Sequence, residues 1–188
     1  MAYEHLAFDR LIAAVGGVRQ GKNRMSGVPD SSASLDQFID ERLICRAPVT
    51  VRRRVRWGEC DPAQVVYTPR FADYLAAAYS WFTRILLSDK MIAKDGTHLA
   101  TPMKALSLEF HNTLRPDDLF DMTVYVEAVR NRTFDLVIIA RSPSEESRFV
   151  GRLSPILVDS SFRSVPLPHS IEEALLAYRE SCGPAILP

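Results

Sequence analysis

The sequence is poor in cysteine, carries no excess charge of either sign and has no long apolar run. Each of these absences closes off a class of protein. The 188 residues contain three cysteines. Cys45, Cys60 and Cys182 lie far apart, without Cys-x-x-Cys or His/Cys spacing, so neither a metal site nor a disulfide framework is expected. The 23 basic and 23 acidic residues cancel, which leaves no electrostatic reason to expect nucleic acid or an anionic membrane as partner. No stretch approaches the roughly 18 apolar residues of a membrane span. The opening MAYEHLAFDR lacks the basic region and apolar core of a signal peptide. A soluble, cytoplasmic protein is the simplest expectation.

What is present suits one domain with an extension. Residues 1–47 stand apart: YEHLAFDRLIAAV is amphipathic, and GGVRQGKNRMSGVPDSSAS has the composition of a linker. SLDQFIDERLI reads as one or two helical turns with Ser34 as N-cap. A domain is expected over 48–183, with 184–188 as a tail. VTVRRRVRW alternates, placing Val49, Val51, Val55 and Trp57 on one face with Arg53 among them, and Arg52, Arg54 and Arg56 on the other. TPRFADYLAAAYSWFTRILLS then takes the helical period through Phe71, Leu75, Ala78, Phe82 and Ile85, with Thr68 as cap and Pro69 as first residue. This helix carries few charges and should be buried.

Four strand-like segments follow, at about 101–112, 119–130, 132–142 and 147–159. The first alternates Leu106, Leu108 and Phe110 with polar residues, and the second places Met122, Val124, Val126 and Ala128 on one face. FDLVIIA is apolar on both faces and needs cover on both, for which a subunit interface is the natural second source. Pro155 implies an edge or a bulge, and HSIEEALLAYRESC reads as a closing helix. The order predicts an α+β domain in which a curved antiparallel five-stranded sheet wraps one long helix.

The stretch VRWGECDPAQVVYTPRFADYLAAA carries the candidate chemistry. A carboxylate, Asp61, ends a strand just before a helix whose free N–H groups and positive dipole end suit a developing oxyanion. Asp before Pro is also an ordinary turn starter; the strand, turn, apolar pair and helix start together favour a reactive role. The same stretch resembles the signature of the 4-hydroxybenzoyl-CoA thioesterase branch of the hotdog-fold thioesterases. The likeness extends more weakly over 48–165, through TPMKALSLEFHNTLRPDDLFDMTVYVEAVRNRTFDLVI. It implies an acyl-CoA substrate, no metal or redox cofactor, and a homodimer or homotetramer with sites at the dimer interface. By the same resemblance Asp61 is the catalytic carboxylate, as nucleophile or general base, and Thr68 offers the backbone N–H that polarises the carbonyl. Gln64 departs from the family's usual glycine; with Val65 and Tyr67 it is expected beside the substrate.

Other candidates are weaker. Arg130 and Arg132, at a predicted strand turn, could contact coenzyme A phosphates; Arg52, Arg53, Arg54 and Arg56 read rather as a solvated or subunit-facing surface. Glu59 reads as a salt-bridge or surface residue, Cys60 as an inert thiol, and His98 and His111 as structural or surface residues. Hotdog dehydratases resemble patterns with a histidine on or near the central helix, and 68–88 has none. A thioesterase acting on an acyl carrier protein and a non-catalytic acyl-binding protein remain as alternatives of the same fold.

Overall fold

The computed structural model describes residues 40–93 and 95–188. In chain order they form β1 (Glu41–Arg46), β2 (Val49–Arg54), a 3-10 turn (Trp57–Glu59), α1 (Arg70–Leu86), a 3-10 turn (Ser88–Lys90), β3 (Met103–Phe110), β4 (Leu119–Val129), β5 (Phe134–Arg141), β6 (Ser147–Pro155) and α2 (His169–Cys182). The strands make one antiparallel sheet in the order β1-β2-β4-β5-β6-β3.

The core lies between one sheet face and α1. Helical spacing brings Phe71, Tyr74, Leu75, Ala78 and Phe82 onto one stripe, all buried. The period-two sheet answers with Phe120, Met122 and Val124, then Phe134, Leu136 and Ile138, then Phe149 and Leu153. Gly151 lets the helix approach closely: a Cβ there would stand 2.4 Å from Leu75 Cδ2. α2 closes one end through Tyr178, whose hydroxyl accepts from Val49 N–H at 2.7 Å and donates to Val124 C=O at 2.8 Å.

The α+β class, the long buried helix and the four strands after it stand as expected, with six strands in place of five. The additional strand is β1, upstream of residue 48. Glu41–Ile44 departs from the helical turns expected of SLDQFIDERLI: pairing with β2 and the Glu41–Arg53 ion pair make it strand instead. Ser34 and the amphipathic opening stretch lie outside the described residues. β2 stops at Arg54, so the alternation that put Trp57 inside is lost, and Trp57 is 68% exposed. Arg53 does face inward. Thr68 makes no side-chain cap; Pro69 holds the N-cap position and α1 starts at Arg70. Pro155 ends β6, where the pairing with β3 shifts register between Met103 and Ala105.

The second face of β5 differs most from expectation. Val137, Ile139 and Val150 are already buried within the single chain, packed by Tyr125 and Ala185. The segment after α2 supplies this cover, turning at Gly183 with φ +69° and accepting a hydrogen bond from Arg141 Nη2 at Ile186 C=O, 3.1 Å. A subunit interface is therefore not needed to explain this apolar face. β3 is the opposite case: it is a sheet edge, with Leu106 44% and Phe110 49% exposed.

Candidate active site

The chain leaves β2 through the 3-10 turn and enters a tight bend at Asp61. The Asp61 N–H donates to Val65 C=O and its C=O accepts from Gln64 N–H, both at 2.9 Å. Its Oδ1 accepts from Ala63 N–H at 2.8 Å. This bend forces Gln64 to φ +62°, the left-handed region where a side chain is disfavoured and glycine is not. The usual glycine at this position thus has a backbone reason. Val66 N–H then joins Leu114 C=O and Tyr67 N–H joins Glu59 C=O, both at 2.9 Å.

The helix starts by a sequence of turn bonds. The carbonyls of Tyr67, Thr68 and Pro69 accept from the N–H groups of Arg70, Phe71 and Ala72. Among the described residues, none accepts from the Thr68 N–H. An open donor at the start of a 17-residue helix is what a developing oxyanion requires.

Thr68 also lines a groove of about 260 Å³, together with Val65, Phe71, Phe110, His111, Leu114 and their neighbours. The Phe71 and Phe110 rings meet edge to face at 4.8 Å. Val65 and Thr68 are in the lining; Asp61 stands half-buried on the turn that feeds it, and Gln64 and Tyr67 are exposed beside it. Arg130 and Arg132 line no part of the groove: Arg130 pairs with Asp135, and Arg132 Nη1 donates to Ser164 Oγ at 3.0 Å. Sequence reasoning missed Phe110 and His111 as groove residues, because only the Val66–Leu114 pairing brings the end of β3 to the start of α1. A larger cleft of about 520 Å³, between the tail and the outer sheet face, holds none of the motif residues.

Beside the turn is a dense polar cluster. Arg53 donates to Glu41 Oε2 and Glu59 Oε1, both at 2.6 Å. Tyr74 OH and Arg56 N–H donate to Glu59 Oε2 at 2.8 and 2.9 Å, and Trp81 Nε1 donates to Glu41 Oε1 at 2.8 Å. The guanidinium lies over the Tyr74 ring, 4.6 Å from its centroid. Burial alone would raise the Glu59 pKa, but the Arg56 N–H, Arg53 and Tyr74 outweigh it and hold the carboxyl below its ordinary value. Burial pushes the Cys60 thiol up, helped by the Glu59, Asp61 and Asp118 carboxylates. Cys60 is accordingly a poor nucleophile.

A family model described as the thioesterase-like superfamily matches residues 55–175, more than half of the chain. The chain belongs to the thioesterase-like superfamily. It is therefore a thioester hydrolase by family. Solved structures similar to it include a gentisyl-coenzyme A thioesterase, at 18% identity and TM-score 0.57, covering 68% of this chain and 98% of that one. A 1,4-dihydroxy-2-naphthoyl-CoA thioesterase from Synechocystis aligns at 22% identity and TM-score 0.58, covering 68% and 94%. A hypothetical protein from Aquifex aeolicus aligns at 23% and TM-score 0.60, covering 68% and 99%. At these identities the likeness carries the hotdog fold alone. No curated protein matches in a sequence search. Among the described residues no helix is long and apolar enough to cross a membrane.

Proposed function

We propose that this superfamily member hydrolyses an acyl-CoA thioester to a free acid and coenzyme A. The observation that carries this reading is the Asp61 turn set against the open Thr68 N–H at the start of α1, over an apolar groove. The Thr68 N–H and the positive end of the helix stabilise the oxygen that becomes negative. Asp61 attacks the carbonyl carbon or takes the proton of the attacking water. The groove's Phe71, Phe110 and Val65 suit an aromatic acyl group such as 4-hydroxybenzoyl, and short or medium aliphatic groups also fit its chemistry. Two similar structures are named for hydroxylated aromatic acyl-CoAs, which supports the aromatic choice. Gln64 and Tyr67 flank the entrance, and the mostly exposed Arg130, with Arg132, is available to coenzyme A phosphates once it exchanges Asp135 for them.

We infer a homodimer or a homotetramer as the working form, in the cytoplasm. Its support is β3, a sheet edge exposed along its length that runs into the groove-lining residues from Phe110 onward. A second copy on that edge covers Met103, Leu106 and Phe110 and completes the groove. The chemistry assigned here needs no metal or redox cofactor.

The test is thiol release from a panel of aromatic and aliphatic acyl-CoAs by the wild type and by folded Asp61→Asn and Asp61→Ala. A loss of about a hundredfold or more in both variants is expected. Turnover unaffected by either substitution removes Asp61 from the mechanism. Binding without turnover favours the acyl-binding or carrier-protein alternative, which the same acyl group on a carrier protein then separates.

A further inference from the structure

Resting on the hydrolase reading, we propose that His111 is the proton donor to the departing thiolate. It lines the same groove as Thr68, and among the described residues lining that groove it alone has an ionisable side chain. The other lining side chains are aliphatic, aromatic, hydroxyl or amide.

The imidazole is held from both sides. Its Nδ1 lies 2.6 Å from Ser147 Oγ, and its Nε2 lies 3.3 Å from Glu109 Oε1. The backbone fixes the ring's base: the His111 N–H donates to Arg148 C=O at 2.9 Å, and Asn112 Nδ2 donates to Ser147 C=O at 2.9 Å. Arg148, next to Ser147, is committed to Thr113 C=O at 3.0 Å and to Glu146 at 3.1 Å. The Ser147 contact is the shorter, and the Glu109 side chain is 66% exposed. Nε2 is therefore the nitrogen free to exchange its partner for a substrate atom. A base or acid oriented by a third group is the usual arrangement for proton transfer at a reacting centre.

The chemistry leaves a place for such a group. Thiols titrate near 8.5, so a thiolate expelled at neutral pH leaves more readily as it gains a proton. Asp61, as nucleophile or base, has the opposite task. In the proposed step a carbon–oxygen bond forms at the carbonyl carbon, and the carbon–sulfur bond breaks with its electron pair on sulfur. His111 enters the step as the imidazolium; its Nε2 proton moves to that sulfur, leaving neutral imidazole, which regains a proton from the water consumed, released through Asp61 or the product acid. The net change is addition of water across the carbon–sulfur bond.

Leaving-group dependence tests this separately from a structural role. Acid release is measured for one acyl group carried on coenzyme A and on an aryl thiol, whose thiolate needs no proton to leave. His111→Gln should lose on the order of a hundredfold on the coenzyme A ester and less than about threefold on the aryl ester. Glu109→Gln and Ser147→Ala should show the same selectivity with smaller losses. Equal losses on both esters, or no loss on either, overturn the assignment. A wild type that releases acid from neither ester overturns the hydrolase reading itself, and this inference with it.

Discussion

Around Glu59 both carboxylate oxygens are filled, by Arg53 on one side and by Tyr74 and the Arg56 N–H on the other, and its side chain is 11% exposed. Two residues on, Asp61 is half-buried, and one oxygen accepts a turn N–H while Oδ2 has no partner among the described residues. The first environment lowers the energy of a fixed charge and ties β1, β2 and α1 together. The second leaves a carboxylate with an unspent lone pair on the turn that leads into the helix start. The same residue class is thus saturated or left open according to how many partners the fold aims at it.

The contrast breaks most sharply at Glu59. Glu59→Ala strands a buried guanidinium with one remaining carboxylate, at an expected cost of about 3 kcal/mol or more in denaturant unfolding. The pH dependence of wild-type stability should report the same group. Because its folded pKa is depressed, its contribution is present above the ordinary glutamate pKa and is lost as pH falls through the folded value. The stability gap between wild type and Glu59→Gln should narrow in that acid range, and a constant gap would deny the linkage.

Asp61→Asn sharpens the comparison from the other side. It should cost about a hundredfold in turnover, about 2.7 kcal/mol of transition-state stabilisation, while the unfolding midpoint moves little. A large midpoint shift with proportionate activity loss would make Asp61 a turn residue after all.

Smaller effects test the frame on which both carboxylates sit. Gly151→Ala places a Cβ 2.4 to 3.0 Å from the buried Leu75 branch and should destabilise by about 1 to 3 kcal/mol. Leu75→Ala in that background should be less harmful than in the wild type, a coupling that a double-mutant cycle measures. Gln64→Gly removes a side chain from the left-handed region. The relief exceeds the added chain entropy, for a gain of about 0.5 kcal/mol in the same unfolding experiment.

Much of this arrangement was legible along the chain. The helical stripe from Phe71 to Phe82 and the alternation in β4 are local periodicities, and local geometry preserves them. The turn at Asp61 and the helix start after Thr68 were legible because they are contiguous. Other features were not, because each rests on a non-local pairing. β1 is a strand because β2 offers it partners and Arg53 offers Glu41 an ion pair. His111 and Thr68 line one groove only because Val66 pairs with Leu114.

The sequence by itself determined the element order, the buried helix and the carboxylate set before a helix start, since these depend on spacing within a few residues. Tertiary structure decided which carboxylate is saturated and which is left open. It also decided that the tail covers the outer face of β5 while β3 stays bare. Those outcomes depend on which surfaces meet, and burial and hydrogen-bond satisfaction are settled only when distant segments pack together.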